Sequence, residues 1–160
     1  MVDSLSDGRT RVAWVPTIVN INAPTVAELT AGTVLSSQMT PDGLSGFEPD
    51  TADVDVSALD STFGTVTAGR ASFSGSMLRL KKQTGTDAAY TLLVRDLSGF
   101  IVIRRDASAT VAWTAADKVE VYPVILGEVR NLAPEANSVH RYEIPVKISS
   151  TPALRATVGA

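Results

Sequence analysis

Apolar and polar residues alternate with a period of two along most of the chain, which predicts strands. The cleanest case is RYEIPVKIS (Arg141–Ser149). There Tyr142, Ile144, Val146 and Ile148 point one way and Arg141, Glu143, Pro145 and Lys147 the other. That is the half-buried pattern of an antiparallel sheet. Further strands are predicted at RVAWVPTIV (Arg11–Val19), TVLSSQM (Thr33–Met39), ASFSGSMLRLKKQ (Ala71–Gln83), FIVIRR (Phe100–Arg105), ATVAWT (Ala109–Thr114) and KVEVYPVILGEV (Lys118–Val129). Pro16 makes the first an edge strand or forces a bulge. Within Ala71–Gln83 the apolar phase slips near Gly75, from Ala71, Phe73 and Met77 to Leu78 and Leu80, the mark of a β-bulge.

Two stretches change period. In TDAAYTLLVRDLSG, Ala89, Leu92, Leu93 and Leu97 form a helical stripe and predict a helix over 87–98. Thr86 or Asp87 caps it, Arg95 suits its C-terminal end, and Gly99 stops it. APTVAELTAG predicts a shorter helix, with Thr25 and Glu28 as a capping box and Gly32 as a left-handed C-cap. Strands dominate, so the expected fold is mainly β: an antiparallel β-sandwich or barrel flanked by one helix. A parallel α/β fold would need more crossover helices. Residues 40–69 carry two prolines, four glycines and no sustained period beyond DVDVSALD, and read as a long loop of the functional kind. A chain of 160 residues is most simply one domain, 1–160, with terminal arms.

Charge gives that loop a character. GFEPDTADVDVSALDS (Gly46–Ser61) holds Glu48, Asp50, Asp53, Asp55 and Asp60 and no basic residue. Residues 1–69 sum to −7 and residues 70–160 to +4, within a net charge of −3. Arg70, Arg79, Lys81, Lys82, Arg104 and Arg105 are candidates for a complementary basic face. Such asymmetry favours the meeting of unlike faces.

Little of the sequence points to chemistry. There is no Cys, which removes disulfides, thiolate metal sites and thiol catalysis. His140 is the single histidine, too few for a zinc site. Asp50, Asp53 and Asp55 fail the spacing of a calcium loop, because Val56 follows Asp55 where glycine is required. On a strand, Asp53 and Asp55 share one solvated face. No G-x-S-x-G and no glycine-rich phosphate loop is present. The bases come without a nucleic-acid reader motif or interleaved aromatics, and the pI is acidic. No catalytic, cofactor or metal site is expected. No secretory signal and no apolar run of membrane-spanning length appears, so synthesis in a cytoplasm is expected.

The order of elements resembles the major tail proteins, or tail tube proteins, of long-tailed bacteriophages with non-contractile tails. APTVAELTAG, the long polar loop, SFSGSMLRLKK, DAAYTLLVRDLSG, FIVIRRD and the closing ADKVEVYPVILGEVRNLAPEANSVHRYEIPVKISSTP carry the resemblance across nearly the whole chain. It implies a β-sandwich or barrel with one packed helix, and a structural virion protein with no enzyme activity and no cofactor. Subunits of the family form hexameric rings that stack into a hollow tube through which the genome passes. The implied partners are other copies, tail proteins such as the tape measure and terminator, and DNA that passes without specific binding; no membrane is involved. Extended loops and termini make the ring contacts, matching Thr40–Gly69, Met1–Arg11 and Pro152–Ala160. The acidic residues Glu48, Asp50, Asp53, Asp55 and Asp60 then either dock a neighbour or line the lumen, where they repel phosphates. Alternatives are a tail-terminator or head–tail joining ring, or a monomeric β-sandwich binding module anchored on exposed Trp14 and Trp113.

Overall fold

The computed structural model describes residues 1–160. Eleven strands and two short helices follow in the order β1 (Arg11–Val15), α1 (Val26–Thr30), β2 (Thr33–Val34), β3 (Met39–Ser45), β4 (Asp50–Asp55), β5 (Val66–Ser72), β6 (Met77–Lys81), α2 (Ala88–Leu92), β7 (Ser98–Arg104), β8 (Lys118–Leu126), β9 (Arg130–Asn131), β10 (Arg141–Ile148) and β11 (Ala153–Thr157). Nine strands make one antiparallel sheet, ordered β2-β1-β7-β8-β10-β6-β3, with β11 also on β8 and β9 also on β10. The remaining two, β4 and β5, pair only with each other.

The sheet curls because β8 is shared. Its second half pairs with β10 through Leu126↔Val146 and Val124↔Ile148, while its first half pairs with β11 through Val121↔Ala153. Two facing layers result, and their inner sides meet in a core of Val12, Trp14, Ile101, Ile103, Tyr122, Leu126, Leu78, Leu80, Tyr142, Ile144 and Val146, closed by Ala89 and Leu93. The layer of β1, β7 and β8 is covered on its other face too. There Ala13, Val15, Val102 and Val121 pack under Ile18, Leu29, Trp113, Ala153, Ala156 and Val158. A strand buried on both faces loses its alternation, which is why FIVIRR reads as a continuous apolar run.

α1 forms as its sequence dictates. Glu28 N–H donates to Thr25 Oγ1, and Thr25 N–H donates to Glu28 Oε2 at 2.8 Å. Gly32, however, is not a left-handed cap: the C-cap is Ala31 in the right-handed region. Glycine is needed at 32 because a Cβ there would stand 2.5 Å from the Trp14 carbonyl oxygen and 2.8 Å from a Val15 methyl.

Other expectations change in extent. The helix expected over 87–98 ends at Leu92, capped by Asp87, and Gly99 lies inside β7 beneath the Trp14 ring. The strand expected over 71–83 is two strands, β5 and β6, separated by a turn with Gly75 at φ 66. Ala109–Thr114 forms no strand; it belongs to the β7–β8 connection, pinned by Arg104. Residues 40–69 are not a continuous loop but hold most of β3, all of β4 and the start of β5. The C-terminal stretch expected as an arm folds back as β11, with Gly159 bridged to Thr25. Trp14 and Trp113 are 2% and 5% exposed, so neither offers a platform for a ligand.

Candidate assembly surfaces

The acidic segment folds into a projecting hairpin. β4 and β5 pair through Thr51↔Ala71, Asp53↔Ala68, Val54↔Thr67 and Asp55↔Val66. One extra residue of β5 opposite Ala52 makes a bulge at Gly69–Arg70. The ladder continues past β4, where Val56 N–H donates to the Thr65 carbonyl at 2.9 Å. At the turn, Ser57 N–H donates to Asp55 Oδ1 at 2.8 Å, and bonds from the Ser57 side chain and N–H hold the Asp55 carboxyl below its usual range.

From Glu48 to Ser72 every residue but Gly69 is exposed. The strands alternate, so the hairpin has two chemically distinct faces. Asp53, Asp55, Val66 and Ala68 share one, while Val54, Thr67 and Gly69 share the other. Val54, Val56, Leu59, Phe63 and Val66 are all exposed, Phe63 to 73%. A two-stranded hairpin with no layer beneath it is marginal in water, and clustered exposed apolar residues mark an interaction site. These residues escape a sequence reading that treats 40–69 as loop. The signal was present in DVDV against TVTA, two short alternating runs that flank a serine-rich turn.

The root of the hairpin is firmly held. Phe47 is buried edge-on to Tyr122, with ring centroids 5.1 Å apart, and the Tyr122 hydroxyl donates to Glu120 Oε2 at 2.8 Å and lies 3.3 Å from the Phe47 carbonyl oxygen. Burial, with the bond to Glu120 second, pushes the Tyr122 hydroxyl pKa up. Gly46 has φ 74, and a Cβ there would meet the Gly75 backbone at 2.5 Å. The hairpin therefore leaves the sandwich at a fixed point between β3 and β6.

The six candidate basic residues do not form one face. Arg104 is 1% exposed. Its guanidinium donates to Asp117 Oδ2 at 2.8 Å and to the carbonyls of Ser108, Val111 and Ala112, which folds the β7–β8 connection around it. Burial raises the Asp117 pKa, but the Thr114 N–H and Arg104 outweigh it and hold that carboxyl below its usual value. Arg105 pairs with Glu120 at 2.8 Å near the hairpin root. Arg79 pairs with the buried Glu143 and with Asp42, and Arg130 approaches Glu143 from the other side at 3.5 Å. Arg70 lies in the hairpin itself. Of the six, only Lys81 and Lys82 stand on the sandwich without an ion pair. They stand at the opposite end of β6 from the hairpin, and the Lys82 ammonium sits 3.7 Å from the centre of the Tyr90 ring.

At the N-terminus, Met1, Val2 and Leu5 are exposed and no strand forms before Arg11. Ala109 N–H donates to the Gly8 carbonyl at 2.7 Å and ties the arm to the β7–β8 connection. No group of three His, Cys, Asp or Glu side chains converges as metal ligands would. No helix is long and apolar enough to cross a membrane.

The chain is thus a curled antiparallel sandwich from which a bare, two-faced hairpin projects. The chain belongs to the phage tail tube protein family, whose model matches residues 1–160. That family is one of structural phage tail proteins and not of enzymes. Among solved structures, the chain is similar to one in the cryo-EM structure of the anti-feeding prophage baseplate, 6-fold symmetrised. The TM-score is 0.60 and the identity 10%, with 94% of this chain and 95% of that chain covered, so the likeness is one of fold. No curated protein matches the chain.

Proposed function

We propose that the protein assembles into hexameric rings that stack into the tail tube, the conduit through which phage DNA leaves the virion, and that the β4–β5 hairpin makes the contact between subunits. The observation that carries this reading is the hairpin, exposed along almost its whole length and bearing Val54, Val56, Leu59, Phe63 and Val66. Burying side chains of these kinds is worth roughly 1.5–3 kcal/mol each, set against the cost of association and of ordering the hairpin. A contact between unlike surfaces of identical subunits closes into a ring where its rotation closes and runs on where it does not, and a tube of stacked rings requires both. The sixfold symmetry of the baseplate that holds the similar fold supports the ring number. Other tail proteins, among them the tape measure and terminator, are the further partners. The hairpin segment carries five acids against Arg70 alone, a surface that repels a phosphate backbone.

Negative-stain microscopy of the purified protein over a concentration series tests this. Sixfold rings and stacks of them are expected. A protein that stays monomeric at every concentration, even when the tail initiator complex is supplied, contradicts the reading. Single rings that never stack would instead point to a terminator or joining protein.

A further inference from the structure

We infer that the hairpin of one subunit docks on the far end of the sandwich of a second copy, the end formed by the C-terminus of β6, the 132–140 connection and the start of β10, with Lys81 and Lys82 receiving the hairpin's aspartates. The inference rests on the reading of the hairpin as the inter-subunit contact and names what receives it.

Position comes first. β3 and β6 pair with Ser45 opposite Met77, and the hairpin emerges beyond that pair. Lys81 lies opposite Arg141 at the other end of the same strands. The steps from Met77 to Lys81, at about 3.3 Å each, set the two ends roughly 13 Å apart before either is extended by its loops. An element leaving one end and a receptor at the other make a head-to-tail contact, which repeats along an axis unless its rotation closes a ring. Bases near the hairpin root do not serve in this way: Arg105 is paired with Glu120, Arg104 is buried, and Lys147, though exposed, stands at the end from which the hairpin itself leaves.

Charge comes second. Lys81 and Lys82 make no ion pair, and Arg141 and Arg130 stand beside them, paired to Glu135 and Glu143. The hairpin presents Asp53 and Asp55 on one face, and no ion pair in the subunit involves them. Unpaired bases at one end, Lys81 and Lys82, thus face unpaired acids at the other, Asp53 and Asp55 among the five of the hairpin segment. Apolar surface matches as well. Val139 is exposed at the lysine end and Leu132 is half-buried there, apolar surface of the same kind as Leu59 and Phe63 of the hairpin. The lysine end is also stiff. Lys82 N–H donates to the His140 carbonyl at 2.8 Å, Leu132 N–H to the Arg141 carbonyl at 3.1 Å, and Tyr90 stacks edge-on to Tyr142 with centroids 5.0 Å apart.

The test is charge reversal and its compensation, read as stacked material by sedimentation and microscopy at low salt. Lys81→Glu with Lys82→Glu should lower the yield of stacks about tenfold, since like charges are then juxtaposed, while single rings and the melting temperature stay as in the wild type. Asp53→Lys with Asp55→Lys should do the same. Mixing the two variants, or combining all four changes in one chain, should restore stacking. Stacking by the lysine-reversed variant at wild-type yield overturns the acceptor assignment, as does failure of the combined variant where each reversal alone abolishes stacking. Wild-type protein that forms no stacks under any condition removes the hairpin reading itself, and the acceptor with it.

Discussion

The Val54 side chain reaches diagonally over Gly69, past its own partner Thr67. A Cβ built on Gly69 would stand 2.9 Å from a Val54 methyl and 2.9 Å from the Ala52 carbonyl oxygen. The valine face of the hairpin is therefore defined by a strand bulge that only glycine fits. Gly69→Val should splay the hairpin while leaving the sandwich intact, because β4 and β5 pair only with each other. The expected result is an unchanged melting temperature by circular dichroism and loss of stacked assemblies by microscopy. A drop in melting temperature would show that the hairpin supports the core after all.

Arg104 is the organising residue of the β7–β8 connection. Arg104→Ala leaves Asp117 and three carbonyls without their donor and a void beneath Trp113, whose ring lies 5.2 Å from the guanidinium carbon. Breaking a buried pair from one side costs about 3–5 kcal/mol, to be read from urea denaturation. Trp113 fluorescence should shift to the red as the connection opens.

Gly99 is fixed by packing. A Cβ there would meet the Trp14 ring at 2.4 Å, inside the core. Gly99→Ala should destabilise by about 1–3 kcal/mol, the range for overpacking. An unchanged denaturation midpoint would mean that the Trp14 ring can move.

Acid should loosen the edge at α1 and the β7–β8 connection. The Thr25 and Val19 N–H groups lower the Glu28 pKa, and Asp117 is also depressed. A carboxyl whose folded pKa lies below its unfolded value contributes stability fully above that unfolded value, about 4. The contribution fades as pH falls through the folded value. Stability should thus be flat from neutrality to about pH 5 and fall below it. Glu28→Gln should flatten part of that fall, and Glu28→Ala should cost about 1 kcal/mol at neutral pH, as loss of a capping contact does.

The strands with one wet face were legible in the sequence. Tyr142, Ile144 and Val146 face the core as their alternation says, and Thr25 and Glu28 cap α1 as their spacing says. What was not legible depends on distant parts of the chain. Ala109–Thr114 alternates like a strand, but the buried Arg104 claims the carbonyls of Val111 and Ala112 that a neighbouring strand would need. The helix over 87–98 stops at Leu92 because Leu97 belongs to the turn into β7, where Asp96 N–H donates to the Leu126 carbonyl. Gly32 and Gly99 look like helix punctuation, yet each is set by contact with Trp14. The acidic segment was visible as charge, but its apolar residues acquire meaning only once the hairpin is seen to have no layer beneath it. Of the bases, sequence could not show which were already spent: Arg79, Arg104 and Arg105 are paired within the subunit, and Lys81 and Lys82 are not.

The central claim, that the hairpin is the contact between subunits, is tested most directly by amide hydrogen exchange over residues 50–72 before and after assembly. In the free subunit these amides should exchange fast, because the ladder is two strands wide and open to water. In assembled tubes the same amides should gain protection while those of β7 and β8, buried in both states, stay unchanged. Fast exchange of residues 50–72 in assembled material, at the rate of the free subunit, would contradict the account.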